Sequence, residues 1–132
     1  MKAIDTSIVV RYLTGDDPRQ APRARAVVDA GDIFVSITVL LEAEWVLCSV
    51  YGFSGQDVAA ALRAFSGLPG VFVENPALLA VALDHAAAGM DFADALHLGA
   101  ATSAATHCET MFTFDRRFIE QANDPSVKMM EP

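Results

Sequence analysis

The chain has 132 residues, a formal net charge of −8 and a hydrophobic share of 53%, so we expect one domain, residues 1–132, able to bury a core without staples. Its two cysteines, Cys48 and Cys108, lie outside any CxxC or Cys/His spacing, which excludes a zinc site and a disulfide framework. The acidic excess also excludes an ordinary nucleic-acid binder working through surplus Lys and Arg, unless something else supplies positive charge.

Residues Lys2 to Asp5 read as a short strand, followed at once by a helix through TSIVVRYL. Asp17 before Pro18 starts a second helix, and Gly31 closes it. DIFVS, residues 32–36, is the second strand. From Thr38 to Tyr51 the apolar residues fall at 39, 40, 43, 46, 47 and 50, a helical period that Gly52 ends. Most of Trp45, Val46, Leu47 and Val50 should be core, with the surplus forming a partner face.

Ser54 opens another helix, with Asp57 three residues on. GVFVE, 70–74, is the third strand, and Asn75–Pro76 start a helix ending near Gly89. Asp91 begins an alanine-rich helix running to about Thr106, whose Ala95, Gly99, Ala100 and Ala104 permit close packing. ETMFTF, 109–114, is the fourth strand, DRRFIEQA a short helix, and SVKMM, 126–130, an edge strand. This alternation predicts an α/β fold of three layers, α/β/α, around a central, mostly parallel sheet of four to five strands. MKAIDTSIVV places Asp5 before any long apolar run, and no stretch approaches about eighteen consecutive apolar residues. Neither a signal peptide nor a membrane span is expected, and the place of action is the reducing cytoplasm.

In open parallel sheets, ligands bind beyond the carboxyl ends of the strands, where loops and helix N-termini meet. Asp5 follows the first strand and Asp115 the fourth. Glu42 lies six residues past Ser36, one turn into its helix, and Asp94 lies in the first turn of the helix that Asp91 begins. If the strands are right, these four acids face one sheet edge. Two like charges 4 Å apart repel by about 4 kcal/mol at an effective dielectric near 20, so such a cluster needs compensation. Oxygen-only ligands favour a hard divalent cation, Mg²⁺ or Mn²⁺.

IDTSIVVRYL, VSITVLLEAEWVL, DFADALHLGAA and FTFDRRF, in this order and spacing, resemble the PIN domain, and specifically the VapC-type toxins of toxin–antitoxin pairs. The resemblance spans nearly the whole chain. It implies a Mg²⁺-dependent ribonuclease in which Asp5, Glu42, Asp94 and Asp115 are the catalytic and metal-binding acids. Ser7 stands where many members carry Asn, and Thr113 matches a frequent Thr or Ser that steadies the site. Asp91 is read as a helix cap on the same face as Asp94, and therefore as a candidate outer ligand.

The resemblance further implies an RNA substrate, tRNA or rRNA among them, a cognate antitoxin protein and a homodimer. Arg11, Arg116 and Arg117 lie nearest in sequence to the site acids and are candidate phosphate contacts. On their own, Arg11, Arg19, Arg23 and Arg25, within fifteen residues, read as solvated helix faces. Two rivals fail on single positions: a haloacid-dehalogenase-type phosphohydrolase needs an acid where Ser7 stands, and a receiver domain needs a late lysine, whereas only Lys2 and Lys128 exist. A PIN-like binding protein without catalysis remains the alternative. Asp5 and Asp115 also have plain readings as helix caps.

Overall fold

The computed structural model describes all residues, 1–132. It contains seven helices and five short strands, and every strand pairing is parallel. By their internal contacts the residues form two compact units, Met1–Pro76 and Ala77–Pro132.

The first unit is built on β1 (Lys2–Ala3), β2 (Ile33–Val35) and β3 (Val71–Val73), hydrogen-bonded in that order. Ile33 pairs with Lys2 on one side and Val71 on the other. Central β2 carries Ile33 and Val35, both fully buried, as a parallel strand with a neighbour on each side requires. Between β1 and β2 run α1 (Thr6–Thr14) and α2 (Gln20–Asp29), and between β2 and β3 run α3 (Ile37–Ser49) and α4 (Gly55–Ser66). Their apolar stripes supply Val9, Leu40, Leu62 and Phe65 to the core, and Tyr12 meets Phe65 edge-on at 5.5 Å.

Local chemistry sets the boundaries in this unit. Asp17 Oδ1 accepts from the amides of Arg19 and Gln20, so Asp17 and Pro18 begin a turn that leads into α2. Ser36 and Ser54 cap α3 and α4 through the amides of Val39 and Asp57. At the start of β3, a Cβ on Gly70 would lie 2.6 Å from Gly31 Cα. Only a glycine pair lets the α2–β2 turn approach β3 so closely, and Ile33 N donates to Gly70 O at 2.9 Å across that approach.

The second unit holds most of α5 (Pro76–Ala87), with α6 (Phe92–Ala101), β4 (Thr110–Phe112), α7 (Arg116–Gln121) and β5 (Lys128–Met130). Its core is Leu79, Ala82, Leu83, Phe92, Ala95 and Leu98. β4 and β5 pair in register, Thr110 opposite Lys128 and Phe112 opposite Met130.

Three expectations change. The strands hydrogen-bond as ladders of three and two rather than as one sheet; with two or three residues each, they offer few ladder bonds. The alanine-rich helix ends at Ala101, not near Thr106. Thr102 Oγ1 donates to Leu98 O and Thr106 Oγ1 to Ala100 O, so hydroxyls occupy the last carbonyls of α6 while His107 takes a positive φ of 46°. On α3 only Leu40, Ala43 and Leu47 are buried, whereas Trp45 is 59% and Val50 67% exposed. No helix is long and apolar enough to cross a membrane.

Candidate metal and nucleic-acid site

In the first unit, β1 delivers the chain to Asp5, an exposed residue with extended backbone that caps α1. Its Oδ1 accepts from Ser7 N at 3.0 Å, Ser7 Oγ at 2.6 Å and Ile8 N at 3.4 Å. The Ser7 hydroxyl above all, with the amides of Ile8 and Ser7, holds the Asp5 carboxyl below the usual aspartate range against the opposing effect of burial. The cap occupies a single oxygen of Asp5, so capping does not conflict with the site reading.

Glu42 lies on the second turn of α3, exposed and without a hydrogen bond or ion pair. A carboxylate that sequence reasoning passed over is Glu74, directly after β3. Its Oε1 accepts from Ile37 N, the first amide of α3, at 3.0 Å. Its position at a strand's carboxyl end, the logic applied to Asp5 and Asp115, was the available signal.

The second unit brings Asp91 and Asp115 into electrostatic reach of Asp94. Asp91 caps α6, its Oδ1 accepting from Asp94 N at 3.0 Å, as the cap reading expected. Asp115 caps α7 through Phe118 N at 3.1 Å, while its own amide donates to Thr113 Oγ1 at 3.0 Å. Thr113 thus fixes the turn that carries Asp115. Asp94 is half-buried and its carboxylate accepts no hydrogen bond. Burial first, then the charges of Asp91 and Asp115, push its pKa up, with exposed His97 opposing.

The two units differ in state. Asp5 is an ionised carboxylate stabilised by donors, and Asp94 is one whose charge is resisted by its surroundings. In neither unit do three His, Cys, Asp or Glu side chains stand so as to hold a metal ion between them. The donor chemistry nevertheless fits a hard divalent cation: oxygen ligands, no thiol or imidazole among the predicted acids, and at Asp94 an anion that a positive charge would relieve.

Of the arginines singled out, Arg116 is 83% exposed and stands 3.8 Å from Glu131, and Arg117 is exposed beside it. Arg11 is anchored instead: its Nε donates to Gln20 Oε1 at 2.8 Å, and Nη1 to Tyr51 Oη at 2.9 Å and Asp16 Oδ1 at 3.2 Å.

No curated protein matches the chain in sequence. The family model described as "PIN domain" matches residues 2–124, a span that takes in Asp5, Glu42, Asp94 and Asp115 together. PIN domains are in general nucleases that depend on Mg²⁺ or Mn²⁺ and act on RNA. With all but a few terminal residues inside that match, this α/β chain of parallel strands belongs to the PIN-domain family and has a nuclease-type fold.

Proposed function

We propose that the protein is a metal-dependent endoribonuclease and the toxin of a toxin–antitoxin pair, acting in the cytoplasm as a single domain over residues 1–132. The observation that carries the reading is Asp94: partly buried, without a donor, its pKa raised by burial and by Asp91 and Asp115. Perturbed carboxylates of this kind cluster at functional sites, and this one lies within the PIN-domain match.

Asp5 and Glu42 in the first unit and Asp94 and Asp115 in the second are the proposed metal-binding acids, with Asp91 as an outer contact. Mg²⁺, or Mn²⁺ in its place, would supply an activated water and offset charge developing on a phosphodiester. The chain's own contribution is preparation. Ser7 and the α1 amides fix one oxygen of Asp5, leaving the other outside those bonds. Thr113 fixes the turn of Asp115. Desolvation at Asp94 strengthens any charge interaction made there. Arg116 and Arg117 offer cations to the phosphates of a tRNA or rRNA strand.

Exposed Trp45, Val50 and Phe53 support a homodimer or an antitoxin contact. The same surface favours the second reading, a PIN-like protein that has lost catalysis and works by binding. Cleavage of structured RNA with Mg²⁺ separates the two. Asp5→Asn and Asp94→Asn should each abolish most of the activity, and parental rates in both would overturn the ribonuclease reading.

A further inference from the structure

Between α1 and α2 lies a cavity of about 320 Å³ whose wall includes Ser7, Ile8, Arg11, Gln20, Arg23 and Val27. In a chain of net charge −8, its lining contains two arginines and no carboxylate. The two cations differ in preparation. Arg11 is locked: Nε and Nη1 are taken by Gln20, Tyr51 and Asp16, and Tyr51 Oη in turn donates to Asp16 Oδ2 at 2.7 Å. Its Nη2 makes no bond within the protein. Arg23 is exposed and makes no hydrogen bond or ion pair at all. Neither a buried ion pair nor a helix-surface pair accounts for it.

Ser7 joins the cavity to Asp5, since the residue that lines the wall also bonds that carboxylate at 2.6 Å. Ile8 and Val27 add an apolar side. A fixed guanidinium, a second unpaired one, an amide group and an apolar wall match a phosphate carrying a sugar and base.

We infer that this cavity binds a backbone phosphate of the RNA strand, flanking the phosphodiester that reaches Asp5. Arg11 and Arg23 grip the phosphate, and Ile8 and Val27 take the apolar face of the attached nucleoside. The inference rests on the ribonuclease reading and adds the direction in which the strand leaves the site, along α1 and α2.

The test is binding of a fluorescein-labelled single-stranded oligoribonucleotide, followed by anisotropy in EDTA so that nothing is cut. It compares the parent chain with Arg23→Ala, Arg23→Lys and Arg25→Ala, because Arg25 stands on the same helix outside the cavity lining. Arg23→Ala should weaken binding about three- to tenfold and lower the slope of log affinity against log salt by about one. Arg23→Lys should recover most of the loss, and Arg25→Ala should bind as the parent does. Equal losses in Arg23→Ala and Arg25→Ala would mean diffuse attraction and overturn the assignment, as would no loss in Arg23→Ala.

Competition supplies the remaining arm. Unlabelled RNA should displace the probe far better than inorganic phosphate or poly-glutamate. Equal displacement by poly-glutamate would make this a site for an acidic peptide, and equal displacement by phosphate a site for the free ion; either overturns an RNA subsite. Because no cleavage is involved, the two failures stay distinct. If Asp5→Asn and Asp94→Asn cut RNA at the parental rate, the ribonuclease reading fails; if they are inactive while Arg23→Ala binds normally, only the cavity assignment does.

Discussion

Asp5 and Asp94 show how opposite environments prepare carboxylates of one predicted set. Asp5 is held ionised by the hydroxyl and amides around it, so its contribution to stability is present above the unfolded pKa and is lost as pH falls through the depressed folded value. Asp94 has the reverse sign. Its folded pKa is raised, so it costs nothing where both states are protonated, and the penalty grows as pH rises through the raised value. Asp94→Asn should therefore raise the melting temperature at about pH 7 without divalent ions, and the gain should vanish near pH 3, below the ordinary aspartate pKa of about 3.9. Melting curves at the two pH values check it. Asp5 invites a different comparison. Asn caps a helix as well as Asp, whereas Ala does not, so Asp5→Ala should cost about 1 kcal/mol in chemical denaturation and Asp5→Asn little. If both lose RNA cleavage alike, charge and not the cap is what catalysis uses. At this scale the sequence was informative because strand ends and cap residues are written locally. The state of Asp94 was not legible, because burial and the approach of Asp115 are set by parts of the chain distant in sequence.

Among the elements, the order of helices and strands followed from hydrophobic period and punctuation, and the caps at Ser54, Asp91 and Asp115 lie where the residue types placed them, whereas Ser36, read only as a strand end, also caps α3. What failed had a physical reason in side chains that act on the backbone. Thr102 and Thr106 end α6 early by taking its carbonyls, although Ala104 and Ala105 favour helix. Close approaches were legible only in part: Gly99 was expected to permit tight packing, but the Gly31–Gly70 contact was not, since nothing in either residue's neighbours signals the other. The two glycines should respond differently to alanine. At Gly70 the added Cβ meets backbone at 2.6 Å, and at Gly99 it meets the end of the Leu78 side chain at 2.6 Å. Gly70→Ala must move a turn and should cost at least about 2 kcal/mol. Gly99→Ala needs only a rotamer shift and gains up to about 1 kcal/mol of helix propensity, so its net loss in denaturant titration should be clearly smaller.

For the molecule as a whole, a bound cation would reconcile its acidity with its membership of the family. If the acids hold one, Mg²⁺ or Mn²⁺ should raise the melting temperature, by about 2.7 kcal/mol of stabilisation at about a hundredfold excess over the dissociation constant. EDTA should reverse the shift, and Asp94→Asn should remove most of it; an identical shift in the variant would detach Asp94 from the ion. The mean hydropathy of +0.34 becomes visible as surface. Phe112 and Phe114, on either side of Thr113, are 63% and 76% exposed, and Trp45 and Val50 project from α3. Composition announced that surplus, but its location depends on which helix face the core takes up. That is decided by packing, and α3, apolar on most sides, gives the sequence little to choose with.

Three of the acids, Asp5, Asp91 and Asp115, each tie one oxygen to the first amides of a helix. Whatever draws on the second oxygen therefore tugs on a helix start. The amides of Ser7, Asp94 and Phe118 become built-in reporters, whose deuterium uptake should slow only at the acids an ion engages. Isotope exchange could then map ligation acid by acid in a protein that never meets its RNA.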